Sequence, residues 1–346
     1  MKGRQIALGQ ISGRPAAAML VDGQLEDIVI DPSELVLFAP GAILRGKVNR
    51  LMKGQGGVFV TLPDGASGYL RDRSGLREGQ LVLAQVAGVS EPGKAVPLSA
   101  RLLIRGRYCI ATPGVPGVNV SRAIRDADRR EDLQAIGDEA LAGRDIGLIL
   151  RSAAEHADDS DIAEELTANL DLAAAIAADL QGEPELLLDA PSPAESAWRD
   201  WAEPAPDAVD EFDELPDEVL DAVHTLLSPR VTLPGGAFAV IEPTSALVAV
   251  DVNTGPDTSP AAALKANIAL ARDLPRQLRL RGLGGQVVID FAPISKRERG
   301  TLDQELKKAF KAEGADAVLT GWTAMGLFEM TRKRDRIPLA LLLGED

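Results

Sequence analysis

The sequence is poor in cysteine, histidine and aromatic side chains. Cys109 is the single cysteine among 346 residues, which excludes a disulfide framework and a zinc site built from several cysteines of one chain. With only two histidines, His156 and His224, a histidine-rich metal site or a Ser-His-Asp triad is disfavoured. No apolar run reaches about 18 residues and no signal-peptide core follows the first residues, so we expect a cytoplasmic protein without a membrane span.

The charged residues are distributed unevenly along the chain. The formal net charge is −15, yet residues 41–107 carry 11 basic and 4 acidic side chains, whereas residues 108–230 carry 8 basic and 29 acidic ones. Phosphate neutralisation dominates nucleic-acid binding, so a low pI argues against it. The local field matters more than the total, however, and the basic segment remains a candidate. The acidic residues between 155 and 221 either mark one edge of a binding path or bind a basic protein partner.

Short strands separated by turns are predicted for the first third of the chain. Alternating apolar residues indicate strands within residues 1–37. Five further strands are predicted at 43–48, 57–62, 67–70, 81–89 and 95–103. Five short strands at this spacing indicate a small closed barrel of the OB type.

The rest of the chain alternates between helices and strands. A helical pattern at 129–136, a strand at 146–150 and a helix at 162–180 precede residues 182–217, whose Pro, Glu, Asp and Ala content predicts a linker or loosely folded segment. A short helix is predicted at 218–227. The last 116 residues predict strands at 237–242, 246–252, 286–291 and 317–320, helices at 260–281 and 296–313, and a short helix at 326–334. This order predicts an α/β layer.

Two aspartates follow apolar strands without a break. Asp251 follows the run LVAV and Asp290 follows the run QVVI. Polar residues at the carboxyl ends of strands line the ligand crevice of α/β sheets. If these strands are parallel neighbours, the two carboxylates would repel each other unless a cation such as Mg²⁺ or Mn²⁺ lay between them. That arrangement suits metal-assisted phosphodiester hydrolysis. Alternatively, each aspartate simply ends a strand and caps the next turn.

Other candidate residues carry two interpretations each. The arginines of helix 260–281, including Arg279, either contact phosphates or lie on a solvated helix face. Phe59 and Tyr69, on consecutive barrel strands, either stack on bases or fill the barrel core. Arg151 and Ser152 follow a strand end, where they either bind a phosphate or belong to an ordinary salt bridge. Lys94 lies at a predicted hairpin tip, where a solvated lysine is common.

Four motifs together resemble the ribonuclease E/G family. They are PTSALVAVDVNTG at 243–255, RQLRLRGLGG at 276–285, VIDF at 288–291 and GLFEMTRKR at 326–334. The resemblance implies an α+β multidomain protein, with an S1 (OB-type) barrel inserted into an RNase H-like remnant, then a 5′-sensor region and a DNase I-like catalytic domain. The corresponding segments are 1–37 for the first RNase H-like part, 38–106 for the S1 domain, 107–181 for the sensor, 182–230 for an acidic linker or RNase H-like remnant, and 231–346 for the catalytic domain.

The resemblance also implies site residues and chemistry. A catalytic Mg²⁺ would be held by Asp251 and Asp290, with Asn253 hydrogen-bonding nearby and Arg332 near the active site. RNA contacts would come from the barrel and sensor residues and from one arginine of the catalytic domain: Phe59, Tyr69, Lys94, Arg151, Ser152 and Arg279. The expected activity is Mg²⁺-dependent endonucleolytic cleavage of single-stranded RNA to products with a 5′-phosphate.

The sequence also departs from the family pattern. The zinc-linking Cys-Pro-x-Cys motif is missing, so we expect no zinc and no zinc-linked dimer. Ser152 replaces a threonine, and an acidic segment follows it at 153–159. A non-catalytic RNA-binding or regulatory paralogue is therefore the alternative hypothesis, although both aspartates favour an enzyme.

Overall fold

The computed structural model describes residues 3–49, 56–71, 75–90, 93–314 and 316–344. Within these ranges the chain has an α+β architecture in which the strands form four sheets. No helix among the described residues has the length and apolar character needed to cross a bilayer.

The N-terminal residues form an antiparallel meander covered by helices on both faces. Its strands are β1 (Arg4–Ile11), β2 (Arg14–Val21) and β3 (Gln24–Ile30). The β2–β3 turn at Asp22 and Gly23 has positive φ angles of 51° and 80°, so the sequence signal for a turn there is confirmed. Buried residues of the sheet pack on one side against a later helix through Ala197 and Trp201, and on the other side against a second core.

The basic segment forms the predicted closed barrel. Its strands are β4 (Ile43–Val48), β5 (Val58–Thr61), β6 (Ser67–Leu70), β7 (Leu81–Val86) and β8 (Val96–Ser99). They pair in the order β4-β5-β6-β8-β7, and a β4–β7 pairing closes the ring. The parallel β6–β8 pair within an otherwise antiparallel ring gives the barrel an OB-like topology.

The third sheet lies between the barrel and two helices. It contains β9 (Ile104–Arg105), β10 (Cys109–Pro113), β11 (Gly117–Val120) and β12 (Ile146–Leu150), with helices α1 (Ala127–Leu141) and α2 (Asp159–Ala178). Cys109 is buried there, and burial raises the pKa of its thiol to about 12. Strands β9 to β11 were not predicted, because Gly and Pro interrupt their apolar runs.

The prediction of a linker at 182–217 is wrong. This segment contributes β13 (Glu185–Leu188), α3 (Pro193–Trp201) and β14 (Ala208–Glu211). Strand β13 extends the barrel by pairing with β4, while β14 pairs with β1 in parallel and helix α3 supplies Ala197 and Trp201 to the first sheet. The segment's polar composition misleads because its order comes from long-range strand pairing and from two buried apolar side chains. Helix α4 (Asp217–Leu227) follows as predicted.

Two helices pack against one face of the last sheet. Its elements are β15 (Arg230–Thr232), β16 (Phe238–Pro243), β17 (Val248–Asn253), α5 (Pro260–Leu280), β18 (Gly285–Asp290), α6 (Lys296–Glu313), β19 (Ala317–Trp322) and β20 (Phe328–Arg332), before a C-terminal helix α7 (Leu339–Leu343). The strand order is β15-β16-β17-β18-β20-β19, with β17 and β18 parallel. Alternate residues such as Val250 and Ile289 join the core with α5 and α6, so the intervening residues face away from the helices.

Within residues 326–334, where a short helix was predicted, Phe328–Arg332 form strand β20. Along β20 the residues alternate between buried and exposed, with Phe328 and Met330 in the core and Glu329 and Thr331 exposed. This alternation is the period-2 pattern of a strand and is visible in the sequence. The strand pairs with both β18 and β19.

A buried asparagine fixes the segment after β18. Asn267 of helix α5 is fully buried; its Nδ2 donates to the carbonyl oxygen of Ala292 at 2.9 Å, and its Oδ1 accepts from the Ala292 N–H at 3.0 Å. This pair of bonds satisfies backbone groups that would otherwise be buried without partners. Asn267 therefore holds the chain two residues beyond Asp290.

A cluster of buried charges joins the first sheet to the last. Asp27 of β3 is 6% exposed and accepts hydrogen bonds from the Arg336 guanidinium at 2.5 and 3.0 Å. Arg279 bridges Glu26 and Glu313, at 2.8 and 3.2 Å, and Arg332 lies 3.4 Å from Glu313. Because β3, the end of α5, the end of α6 and the segment around β20 all contribute, the cluster fixes how the two sheets meet.

We predict that Asn267→Leu destabilises the protein by about 1–3 kcal/mol, since it leaves the Ala292 N–H and C=O buried without partners. Urea unfolding followed by circular dichroism would measure this as a lower midpoint. The matched control is Asn119→Leu on an exposed position of β11, which should change stability by less than about 0.5 kcal/mol. Equal effects of the two substitutions would contradict the role of Asn267.

We predict that Asp27→Asn lowers the free energy of unfolding by about 3 kcal/mol, because it leaves Arg336 without its buried counter-charge. The control is Glu34→Gln. The Glu34 carboxylate is 69% exposed and pairs with Arg14, so its loss should cost less than about 1 kcal/mol. Thermal and urea unfolding of both variants would separate the two cases. A destabilisation no larger than that of the control would show that the cluster does not stabilise the junction.

Candidate active site

The two aspartates are direct neighbours on parallel strands. Asp251 of β17 and Asp290 of β18 are register partners at the carboxyl ends of their strands. Adjacent strands lie about 4.8 Å apart and register partners point to the same face, so the two carboxylates lie side by side. Both residues are exposed and face away from α5 and α6. The sequence-based prediction that these strands are adjacent and parallel is confirmed.

An amide group orients one of the carboxylates. The Nδ2 of Asn253 donates a hydrogen bond to Oδ2 of Asp251 at 2.8 Å. Asn253 lies two residues further along β17, on the same face of the sheet. The third predicted residue is thus brought together with the aspartate pair. Among the described residues, no cluster of three or more acidic, histidine or cysteine side chains has metal-binding geometry, so a cation here would have two carboxylate ligands.

The helix that follows Asp290 along the chain begins with two cationic side chains. Helix α6 begins six residues after Asp290, and its N-terminus is closed by a capping box in which Glu298 accepts from the Ser295 N–H at 2.9 Å. Lys296 and Arg297 are exposed in its first turn. A helix N-terminus attracts anions, and the two cations add to that field. The chain just after Asp290 therefore carries two exposed cations.

Aromatic side chains support the same end of the sheet. Phe291, directly after Asp290, lies 5.7 Å from Trp322 and 6.4 Å from Phe328 between ring centroids. The Arg299 guanidinium lies 4.5 Å from the Trp322 ring. Trp322 is held by a hydrogen bond of 2.8 Å from its Nε1 to Asp303. These contacts pack the residue directly after Asp290 against β19 and β20.

The barrel carries an aromatic pair outside its core. Phe59 and Tyr69 are register partners on β5 and β6, with ring centroids 5.4 Å apart. Both are partly exposed, and neither belongs to the buried barrel cluster. The alternative that Phe59 fills the core is therefore wrong. Lys94 is exposed just before β8, which pairs with the strand of Tyr69.

The predicted phosphate-sensing arginine is engaged by the chain itself. Arg151 donates to the carbonyl oxygens of Gly106 at 2.6 Å and Arg199 at 3.1 Å, and to Oδ1 of Asp200 at 2.8 Å. Burial raises the pKa of Asp200, but hydrogen bonds and charges from Arg199 and Arg151 outweigh this, so its pKa is lowered. Ser152 is exposed at the start of the following short helical turn. A phosphate at Arg151 would have to compete with Asp200.

Two predicted site residues lie away from the aspartate pair. Arg332 pairs in register with Gly285, at the opposite end of β18 from Asp290, which is about 17 Å along the strand. It is 6% exposed and donates to the carbonyl oxygen of Leu283. Arg279 belongs to the same buried charge cluster, bound to Glu26 and Glu313. These positions do not support a catalytic role for Arg332 or an RNA contact for Arg279. Both side chains belong to the ion-pair cluster that connects the first sheet with the last.

Sequence reasoning missed two residues that position the predicted groups. Asn267 is an amide on a largely apolar helix face, between the buried Ala263 and Leu270, and that pattern was a usable signal for a buried polar role. Asp200 neutralises Arg151 from 49 residues away. No local pattern in the sequence marks that contact.

Comparison with known proteins agrees with these features. The model of the ribonuclease E/G family matches residues 103–210 and 212–335, well over half of the chain. The matched region includes the third sheet and both aspartates.

Several relatives cover most of the chain. It is 26% identical to ribonuclease E of Nostoc sp. over 95% of this chain and 56% of that protein. It is also 26% identical to ribonuclease G of Salmonella typhimurium, over 86% of this chain and 73% of that protein. A chloroplastic ribonuclease E/G-like protein of Arabidopsis thaliana is 35% identical over 37% of this chain and 14% of its own length. The chain thus spans little more than half of the ribonuclease E relative, and it belongs to the ribonuclease E/G family.

Proposed function

We propose that the chain is an endoribonuclease that cleaves single-stranded RNA with the help of Mg²⁺ and leaves products with a 5′-phosphate. The observation that carries this proposal is the register pairing of Asp251 with Asp290 on the open face of the last sheet. A divalent cation would relieve the repulsion between two adjacent carboxylates, and oxygen ligands suit Mg²⁺ or Mn²⁺. The names of the relatives, ribonuclease E and ribonuclease G, support the same activity.

The donor set fits a hydrated divalent ion. Asp251 and Asp290 would hold it, because Mg²⁺ is commonly bound by one or two carboxylates, with waters and substrate phosphates completing its shell. When bound, the ion lowers the pKa of water and stabilises charge that develops on the phosphate oxygens. Both aspartates are exposed on the open sheet face, which leaves room for a phosphodiester.

The surrounding residues orient the reactive groups. Asn253 donates to Oδ2 of Asp251 and so fixes the rotation of that carboxylate. Asn267, through Ala292, holds the chain after Asp290. The cations of the first turn of α6, Lys296 and Arg297, would attract and orient the RNA phosphates. Hydrolysis adds the oxygen of water to phosphorus and transfers a proton to the departing 3′-oxygen, giving 5′-phosphate and 3′-hydroxyl ends.

The barrel is the best candidate for a surface that positions the strand. Its net-basic segment and the external Phe59–Tyr69 pair match the combination of cations and aromatic platforms with which OB-type barrels bind single strands. In the family scheme, the barrel would act as the S1 domain and residues 231–346 as the catalytic domain. The stacking rings would hold bases while the scissile phosphate lies at the aspartates.

We predict that Asp251→Asn and Asp290→Asn each lower the rate of cleavage by at least about 100-fold, because each removes one of two charged ligands. The assay uses a fluorescent single-stranded RNA oligonucleotide with and without Mg²⁺, and end analysis of the products identifies the 5′-phosphate. Polarisation of the same RNA in EDTA should show unchanged binding.

The matched control is Glu242→Gln, another carboxylate-to-amide change at an exposed position of the same sheet, which should retain most of the activity. Undiminished Mg²⁺-dependent cleavage by either aspartate variant would refute the assignment of the site. RNA that binds but stays intact with the unmodified protein would instead favour the non-catalytic alternative.

We predict that Tyr69→Ala and Phe59→Ala each weaken binding of a single-stranded oligonucleotide by about 1–3 kcal/mol, the usual contribution of one stacked base. Tyr69→Phe is the control, since it keeps the ring and should retain nearly full affinity. Titrations monitored by polarisation would give the dissociation constants. Equal affinities of Tyr69→Ala and Tyr69→Phe would show that the ring does not stack on RNA.

A further inference from the structure

An arginine stacks on an aromatic ring near the edge of the last sheet. The guanidinium carbon of Arg230 lies 3.4 Å from the centroid of the Phe238 ring. Arg230 on β15 is the register partner of Val240 on β16, and Phe238 is the partner of Thr232. The pair is therefore diagonal across two antiparallel strands, an arrangement in which long and aromatic side chains touch. We call it the Arg230–Phe238 stack.

The stack lies on the open face of the sheet, the face that carries the aspartates. Ala239 enters the core with α5 and α6, so its neighbours Phe238 and Val240 face the other way. Because register partners share a face, Arg230 lies on the same side as Val240. Arg230 is exposed and Phe238 is partly exposed. A cation and a ring are thus accessible to a ligand on this face.

Strand register connects the stack with the aspartate pair. Asp251 and Asp290 continue the row that begins with Arg230, and Phe238 is the partner of Asn253. The backbone of Arg230 is two strand spacings, about 10 Å, from that of Asp251. Phosphates repeat every ~3.4 Å along a helical strand and lie further apart in an extended one, so this separation spans at most about three nucleotides.

The guanidinium of Arg230 has no partner in the described part of the chain except the ring. No carboxylate forms an ion pair with it, and no oxygen of a described residue accepts a hydrogen bond from it. In contrast, Arg272, Arg279 and Arg332, on α5 and β20, each pair with a carboxylate. Stacking on a ring fixes the plane of a guanidinium and leaves its in-plane N–H donors free. The stack is therefore a preoriented site for an anion.

The carboxylates of the open face leave this charge uncompensated. Besides the aspartate pair, the strands of the sheet carry Glu242 and Glu329 on this face. Glu329 is on β20, four strands from β15. Glu242 and Phe238 lie on opposite sides of Val240 along β16, so the stack directs the guanidinium away from Glu242. A divalent ion on the aspartate pair would compensate those two charges as well.

We propose that the Arg230–Phe238 stack binds a phosphate of the RNA strand within about three nucleotides of the scissile bond. Arg230 is the phosphate ligand, and Phe238 is the residue that positions it. Since the strand and the cut bond come from the proposed function, the assignment rests on that function. Holding a flanking phosphate would place the scissile one at the aspartates, because a strand bound at two points has less freedom to shift.

The first experiment measures cleavage of a short single-stranded RNA whose cut site has been mapped with the unmodified chain. Arg230→Gln should lower kcat/KM about 10-fold to 100-fold, the effect of one lost charge-assisted contact, mainly through a higher KM. The control is Arg272→Gln. Arg272 is a 64% exposed arginine of α5, on the other side of the sheet, so its variant should cleave like the unmodified chain.

Neutral linkages identify the phosphate. Single methylphosphonate linkages, which each remove one phosphate charge, are placed at successive positions within three nucleotides of the cut on both sides. At one position the neutral linkage should lower kcat/KM of the unmodified chain and have little further effect on Arg230→Gln. Losses that multiply independently at every position would overturn the proposal.

The role of Phe238 requires its own variants. Phe238→Leu should raise KM because the guanidinium loses its fixed plane, whereas Phe238→Tyr keeps the ring and should restore the value of the unmodified chain. In the Arg230→Gln background, Phe238→Leu should raise KM no further. An equal effect of Phe238→Leu with and without Arg230 would overturn the positioning role and assign the ring to the stability of the sheet alone.

Binding in EDTA separates the stack from the nuclease activity. Polarisation titrations at several salt concentrations should show that Arg230→Gln reduces the salt slope by about 0.7, the value for one phosphate of a single strand. Cleavage by the unmodified chain, with kcat/KM and salt slope unchanged in Arg230→Gln, would retain the nuclease and overturn the stack. A reduced slope without any cleavage would retain the stack as a phosphate site and overturn the nuclease. Absence of RNA binding would overturn both.

Discussion

The parallel pairing of β17 with β18 is the constraint on which the candidate site depends. It puts Asp251 and Asp290 at the same height on neighbouring strands. A shift of one residue in either strand would turn one carboxylate toward the apolar core with α5 and α6, because side chains alternate between faces. The buried residues Val250 and Ile289 specify the register, since each must enter that core. The hydrophobic pattern therefore positions the two charges that carry the proposed chemistry.

This placement has an electrostatic cost that the fold keeps small. Exposure to water screens the two like charges, and Asn253 gives Asp251 a donor. The deeply buried charges are at the other end of the sheet, where Asp27, Glu313 and three arginines compensate one another. The sheet therefore has one end that is held by buried ion pairs and one end that is open and polar. The division explains why Arg279 and Arg332, although within the family motifs, stabilise the junction of two sheets.

The sequence predicts what local patterns determine and misses what distant contacts determine. Helix α6 and strands β4, β6 and β12 agree with the predicted ranges, and the adjacency of Asp251 and Asp290 followed from polar residues at the ends of apolar strands. The error at 326–334 came from overlooking a period-2 pattern. The linker prediction failed because β13 and β14 are ordered by strands about 140 and 200 residues away. The engagement of Arg151 by Asp200 had no local signal.

The acidic segment resolves the apparent conflict between a net charge of −15 and the proposed nucleic-acid substrate. Its carboxylates are directed at particular groups: Asp179 and Glu185 bind Arg45 of the barrel, Glu203 binds Arg107, and Asp200 binds Arg151. The same segment therefore neutralises these three arginines, whereas Arg230 on the open face of the last sheet has no ion pair within the described chain. Fields decay over about 10 Å at ordinary ionic strength, so a polyanion responds to the unpaired cations near it and not to the total. Selective neutralisation, more than an excess of basic residues, would then determine where a strand can lie on this surface.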